Sequence, residues 1–469
     1  MKYLSTRGGV GAARFDDVLL TGLAGDGGLF MPEAWPQVSP GEIAKFRGKS
    51  YADIAASIMA RFTGDAFSHD RLLEITCKVY GAFDHTDVAP LTQIGDEDWI
   101  LELFHGPTLA FKDFAMQVLG AMFDDLLERR GERLTIICAT SGDTGAAAIE
   151  ALKSCRRVDV VVLHPEGRVS DVQRRMMTCV ANENVCNIAI DGSFDDCQSI
   201  VKALFADEAF VAKTKLGGVN SINWARLAAQ IVYYFTASAA ISDGEPVSFV
   251  VPTGNFGDVF AGYAAKQMGL PIAKLAVATN VNDILHRAIQ QGDYSPASVS
   301  ATSSPSMDIQ VASNFERLLY EVLGRASDAL RMRMAEFQKT GAIALSDDEM
   351  CAIRDDFVSH AASETDTVAE IKRHYREHHA LIDPHTAVAR VAAQRLRDVK
   401  ELSGKVVTLS TAHPAKFPDV VERAAGAHPA LPSRYSDLFD RPEHMATSPA
   451  TAAAVKALML DRLRDRAQP

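Results

Sequence analysis

Short apolar runs alternate with helically spaced stretches along most of the chain beyond residue 95. "DWILELF", "LTIICAT" (134–140), "DVVVLH" (159–164), "VCNIAI" (185–190), "PVSFVVP" (246–252), "AKLAVAT" (273–279) and "KVVTLST" (405–411) are rich in β-branched and apolar residues, with little polar alternation. Runs of that kind predict strands buried on both faces. Between them "GAAAIEALK", "SDVQRRMMTCV", "DDCQSIVKALF", "DVFAGYAAKQMG" and "NDILHRAIQ" read as helices. The alternation predicts an α/β fold with mostly parallel sheets covered by helices.

One helical stretch raises a chemical question. In "HGPTLAFKDFAMQVLG" (105–120) and beyond, Phe111, Ala115, Val118, Leu119, Met122, Phe123, Leu126 and Leu127 recur at helical spacing. Asp113, Gln117, Asp124 and Glu128 form the expected wet face. Lys112 lies on the border, and its helical neighbours Thr108, Leu109, Ala115 and Met116 carry no charge. Such a lysine reads first as one that rests its stem on the core and lifts its ammonium into water. Without a local acid, it is also a lysine that burial would keep neutral and nucleophilic.

The remaining stretches are less regular. Residues 1–95 mix short elements with Gly-rich turns such as "GLAGDGGLFMPE" and the segment "ITCKVYGAF". Between about 295 and 400 a Ser/Ala/Pro loop leads into charged helical sequence, with capping-box starts expected at Ser346…Glu349 and Thr367…Glu370. This stretch is expected to be a helical insertion. "TAAAVKALMLDRLRDR" predicts a terminal amphipathic helix. The expected division is 1–95, 96–245 and 246–469.

Composition narrows the class. The 469 residues are 47% hydrophobic and 23% charged, with a net charge of −12. That balance speaks against nucleic acid or an anionic membrane as a partner. The opening "MKYLSTRGGVGAARFDD" has no apolar stretch of the kind a secretory signal carries, and no run approaches the ~18 apolar residues of a membrane span. Seven cysteines without a CxxC pair fit reduced thiols in a cytoplasm.

Two strand ends carry loops that could hold anions. "SGDTGAA" (141–147) follows "LTIICAT", and "GNFGD" (254–258) follows "VSFVVPT". Either alone is also a routine strand-to-helix turn. Both lie where open α/β sheets bind ligands, and both offer backbone N–H groups at a helix start. Neither contains G-x-G-x-x-G. "GKS" (48–50) is no Walker motif, since Ile43 stands where a glycine is required. "HYREHH" (374–379) reads as a solvated helix face, not a metal site, and His385 in "IDPHTAVA" as a capping or loop histidine. "TAHPAKF" (411–417) is notable for its place after the last strand.

Taken together, "HGPTLAFKDF", "SGDTGAA", "SFDDCQ", "VNSINWAR", "PTGNFGD" and "LSTAHPAKFP" resemble threonine synthase, closest to its long fungal and bacterial subclass. The resemblance runs from "YLSTRG" to about residue 420. It implies a pyridoxal 5'-phosphate enzyme of fold type II, the tryptophan synthase β-like fold, with an N-terminal extension and a helical insertion. The implied substrate is O-phospho-L-homoserine, the products threonine and phosphate. Lys112 matches the lysine that anchors the cofactor as a Schiff base and moves protons. Gly254, Asn255, Phe256, Gly257 and Asp258 match the cofactor-phosphate loop, with Asn255 also near the ring hydroxyl. Thr411 matches the neutral partner of the pyridine nitrogen. Ser141, Gly142, Asp143 and Thr144 match the loop for the substrate carboxylate. Ser221, Asn223 and Arg226 are the candidates for the substrate phosphate, with Arg168 and Lys202 next. No metal is implied.

The resemblance also implies a cytoplasmic enzyme working on a small molecule as monomer or homodimer. Two other readings keep the same fold: a sibling lyase, such as a dehydratase or a lyase acting on the same phosphorylated acid, and a non-catalytic binding protein. The second would require a broken lysine or broken anion loops, and both are intact in the sequence.

Overall fold

The computed structural model describes residues 1–467, with side chains to residue 462. All seven runs read as strands are strands: Asp98–Glu102, Leu134–Ala139, Val158–Pro165, Val185–Asp191, Val247–Pro252, Ile272–Thr279 and Val406–Ser410. They divide between two sheets, each in its own compact unit.

The first unit comprises residues 1–19, 23–115 and 221–429. Its six-stranded sheet has the order Phe357–Ala361, Ile272–Thr279, Val247–Pro252, Val406–Ser410, Asp98–Glu102, Leu91–Gly95. All neighbours are parallel except the last pair, which is antiparallel. Helix Pro384–Asp398 covers one face, packing Val388, Ala389 and Ala392 on Val250, Ala276 and Val406. A small antiparallel sheet of Lys2–Ser5, Ala13–Arg14 and Phe30–Pro32 belongs to the same unit.

The second unit comprises residues 20–22, 116–220 and 430–469. Its five strands are all parallel, in the order Ala446–Pro449, Val185–Asp191, Val158–Pro165, Leu134–Ala139, Leu216–Gly217. Its core runs from Ile137, Val161 and Ile188 to Val455 and Met459 on the terminal helix Ala452–Ala467.

Several expectations are corrected. The compact units cut across the expected stretches 1–95, 96–245 and 246–469; the 430–469 tail joins the second unit, supplying an edge strand. Residues 295–400 are not a separate insertion, because "FVSHA" (357–361) pairs in parallel with Ile272–Thr279. "ITCKVY" belongs to a single helix, His69–Tyr80. The box at Ser346 and Glu349 forms, but Thr367 lies inside helix Glu364–His378, whose N-cap is Ser363. His374 is not solvated: it is 2% exposed, and burial pushes its pKa down to about 3. Asp113 is fully buried, so the first turn of helix Lys112–Arg130 has no wet face. Among the described residues no helix is long and apolar enough to cross a membrane.

Candidate active site

Three adjacent strands of the six-stranded sheet end at the same edge and deliver three of the expected site segments. Asp98–Glu102 leads to Lys112, Val247–Pro252 to the 254–258 loop, and Val406–Ser410 to Thr411.

The approach to Lys112 is held at almost every residue. Leu103 N–H donates to Ser410 O (2.9 Å), Phe111 N–H to Thr411 O (2.8 Å), and His413 N–H to Leu109 O (3.0 Å). The Asp113 carboxylate accepts from Thr108 N (2.6 Å) and Thr108 Oγ1 (2.8 Å). Lys416, itself fully buried, donates to Thr108 O (2.8 Å). Leu109 is left-handed, with φ 59°, a conformation that only a well-braced loop retains. Phe114, one turn along, sits among Tyr51, Tyr80, Phe83 and Tyr233. Tyr80 Oη also donates to Phe114 O at 2.9 Å. The lysine therefore stands on a fixed backbone. It is 9% exposed, its Nζ 4.9 Å from the Phe111 ring centre.

The uncharged helical neighbours of Lys112 at Thr108, Leu109, Ala115 and Met116 do not describe its whole surroundings. Asp258, from the 254–258 loop, feels the charge of Lys112. Its Oδ1 accepts from Tyr233 and Tyr234, and burial pushes its pKa up to about 6 against those two hydroxyls and the lysine.

In the 254–258 loop the backbone does the presenting. Phe256 is left-handed (φ 63°) and packs its ring 5.6 Å from both Phe315 and Phe357. Helix Gly257–Gln267 then begins with no side chain capping its first amides. Gly254 lets the loop approach its neighbour, since a Cβ there would lie 2.6 Å from Ser306 O. Asn255 is exposed, its Oδ1 accepting from Ser313 Oγ (3.2 Å). Thr411 is 5% exposed.

The "VNSINWAR" turn lies in the first unit from Ser221 onward. Asn223 is fully buried and caps helix Trp224–Ile241. Its Oδ1 accepts from Ala225 N (3.0 Å) and its Nδ2 donates to Leu19 O (2.9 Å). That placement makes it a brace of the turn and does not fit the ligand role expected for it. Arg226 is in the first turn of that helix and 3% exposed; Ser221 is half-buried.

The "SGDTG" loop belongs to the second unit. Gly142 (φ 138°) precedes helix Asp143–Leu152. Thr140 Oγ1 accepts from Gly142 N and Gly145 N, each at 2.9 Å. Asp143 Oδ1 accepts from Gln173 Nε2 (2.7 Å). Ser141 and Thr144 are half-buried. Arg168 and Lys202 are exposed in the same unit.

Two braces hold these loops from a distance. Asn314 donates from its backbone N (3.1 Å) and Nδ2 (3.0 Å) to Asn255 O, and from Nδ2 to Ser221 O (3.3 Å). Asp383 caps helix Pro384–Asp398 and accepts from His385 Nδ1 (2.7 Å), while His385 Nε2 accepts from Ser306 N (3.2 Å). The expected capping histidine thus reaches across to the neighbour of Gly254. A separate hydroxyl contact, Thr386 Oγ1 to Ser410 Oγ (2.8 Å), ties that helix start to the strand that carries Thr411.

Known proteins resemble this chain over nearly its whole length. The family described as "Threonine synthase N terminus" matches residues 2–80, "Pyridoxal-phosphate dependent enzyme" matches 86–350, and "Threonine synthase, C-terminal" matches 386–459. The threonine synthase of Pseudomonas aeruginosa is 49% identical, covering 98% of both chains. A crystal structure of pyridoxal-phosphate-bound threonine synthase from Brucella melitensis superposes with a TM-score of 0.94 at 46% identity, over 98% of this chain and 99% of that one. The yeast threonine synthase structure gives 0.93 at 38%, over 99% of each. With matches of this length and identity, the chain belongs to the threonine synthase family of pyridoxal-phosphate-dependent enzymes.

Proposed function

We propose that this chain converts O-phospho-L-homoserine and water to L-threonine and phosphate, with Lys112 as the anchor of pyridoxal phosphate. The observation that carries the reading is the convergence of three neighbouring strand ends on one sheet edge, bringing Lys112, the 254–258 amides and Thr411.

The residues present fit the cofactor. The 254–257 backbone opens a helix whose first amides no side chain caps, as an anionic phosphate needs. Asp258 turns its carboxylate away into the two tyrosine hydroxyls and so does not compete. The Thr411 hydroxyl can serve as a neutral partner for a ring nitrogen, and Asn255, exposed on the loop, can serve the ring hydroxyl. When bound, pyridoxal phosphate supplies an electron sink for charge on the carbon beside the substrate's amino group.

The chain's own groups supply binding, orientation and proton movement. Lys112 holds the cofactor and carries a proton from and to that carbon. Ser221 and Arg226 hold the leaving phosphate, and these contacts strengthen as its charge builds. Asn223 serves the same turn by capping it. Ser141, Asp143 and Thr144 receive the substrate carboxylate through backbone amides and hydroxyls, at the turn that left-handed Gly142 makes and Thr140 braces. We read the protein as a cytoplasmic monomer or homodimer with no nucleic-acid partner; its net charge of −12 supports the last point.

The test is to incubate the purified, cofactor-loaded protein with O-phospho-L-homoserine and identify the products. Threonine with one phosphate supports the reading. A keto acid with ammonia and phosphate replaces it with the sibling lyase, and no turnover with intact cofactor loading rejects both.

A further inference from the structure

We infer that Asn314 is a positioning residue that fixes the cofactor-phosphate loop and the substrate-phosphate turn at one spacing. The inference rests on the site reading above, in which residues 254–258 hold one phosphate and Ser221 with Arg226 hold the other.

The two segments are far apart in sequence, yet one buried side chain serves both. Asn314 is fully buried. Its Nδ2 carries two hydrogens, and they go to two different carbonyls: Asn255 O at 3.0 Å and Ser221 O at 3.3 Å. Its backbone N–H donates a second time to Asn255 O, at 3.1 Å. Its Oδ1 accepts from Arg317 Nη1. The amide therefore has every polar group engaged, and only an asparagine supplies this set at this length.

Arg317 makes the arrangement rigid. It is fully buried and donates to Ile222 O (2.6 Å), the residue after Ser221, and to Phe30 O through Nε (3.2 Å) and Nη2 (3.0 Å). Its guanidinium also lies 5.6 Å from the Trp224 ring centre. The substrate turn is thus gripped at two successive carbonyls, one by Asn314 and one by Arg317. Gly257 completes the fit, because a Cβ there would lie 3.2 Å from Asn314 Nδ2 and 3.7 Å from Ser221 O. The start of the phosphate-binding helix, the substrate turn and Asn314 meet at that point.

Such a brace has a function beyond stability. Cofactor and substrate must be held at once, each by its own phosphate, so loosening the one amide that braces both segments weakens both holds together. Carbonyls turned toward Asn314 also leave the amides of the same segments to face the opposite way.

Asn314→Asp is the discriminating variant. The carboxylate keeps an acceptor for Arg317, so the buried cation keeps that hydrogen bond. It replaces the two donors with an acceptor facing two carbonyls. Two quantities are read: the dissociation constant for pyridoxal phosphate, by titrating the apo-protein, and KM for O-phospho-L-homoserine at saturating cofactor. Both should rise about tenfold, with kcat within about threefold. Asn314→Ala gives the same reading if the aspartate variant does not fold. Values within about twofold of the parent, or a change confined to one ligand, overturn the inference. Arg226→Leu and Lys112→Ala run alongside as controls. If those leave KM and cofactor attachment unchanged, the site reading itself has failed; if they are impaired while Asn314→Asp is normal, only the inference has.

Discussion

The amide of Phe111 donates to the carbonyl of Thr411 at 2.8 Å, so the residue preceding Lys112 is hydrogen-bonded to the threonine that follows strand Val406–Ser410. One residue to either side, Ala110 and Ala412 form an antiparallel bridge. The proposed anchor of the cofactor and the proposed partner of its ring therefore adjoin one short ladder. Errors in placing one are shared by the other, which keeps the angle between them constant.

Lys112→Ala should remove the absorbance band of the lysine-linked cofactor and all turnover. The fold should survive, because Phe114 and Asp113 hold the helix start without the lysine side chain. A band that persists in this variant would assign the anchor to another lysine.

How much of this was legible beforehand follows from what each signal depends on. Continuous apolar strands such as "DVVVLH" announce themselves, because burial on both faces leaves no polar alternation. "FVSHA" did not, because an edge strand tolerates Ser359 and His360, and its pairing partner lies about 80 residues away in sequence. Lys112 and the two glycine loops stood out by type and position. Helical spacing puts Asp113 on a wet face because it cannot show that Thr108 folds back over it. Asn314 and Arg317 were invisible, since their meaning lies in carbonyls contributed by Phe30, Ile222 and Asn255.

Thr411→Asp would place a carboxylate where the ring nitrogen needs a neutral neighbour. In so buried a position the pair would hold a proton between them. We expect kcat to fall at least tenfold and the share of keto-acid by-product to rise. Unchanged rate and product ratio would place the ring nitrogen elsewhere.

Gly257→Val should weaken pyridoxal phosphate binding by at least tenfold, about 1.4 kcal/mol or more. The added carbons enter the space occupied by Asn314 Nδ2 and narrow the approach to the first helical amides. Substrate affinity should fall with it. Titration of the apo-protein checks this, and parental affinity would remove the loop from the phosphate site.

Asp258 predicts a pH dependence with a definite sign. Burial raises its pKa from the ordinary 3.8 to about 6, so the folded protein prefers the protonated acid. Its contribution to stability is full below the ordinary value and is lost as pH rises through about 6. Asp258→Asn keeps an oxygen for Tyr233 and Tyr234 but cannot titrate. The stability of the parent apo-protein relative to this variant should fall by roughly 2–3 kcal/mol between about pH 4 and pH 7. Denaturant unfolding of both across that range measures it. A flat difference would mean that the carboxylate is solvated or paired in the apo-protein.

Arg226 tests whether the substrate is defined by its phosphate. A guanidinium offers two parallel donors, the geometry a phosphate accepts best. Arg226 is 3% exposed and sits in the first turn of helix Trp224–Ile241, where the helix dipole also favours an anion. The turn before it is braced by Asn223, Asn314 and Arg317, so the side chain springs from a fixed base. Contacts to a leaving group gain strength as it departs, so both binding and turnover should suffer. Arg226→Leu should raise the combined barrier, kcat/KM, by roughly 2–4 kcal/mol with O-phospho-L-homoserine. Unphosphorylated homoserine should react very poorly with the parent and no worse with the variant. Cofactor loading, measured separately, should stay near parental, since the 254–258 loop is untouched. A variant with normal kinetics would move the phosphate to another cation. Arg168 and Lys202 come next, but both are exposed, and a contact to either would be screened by water and worth far less.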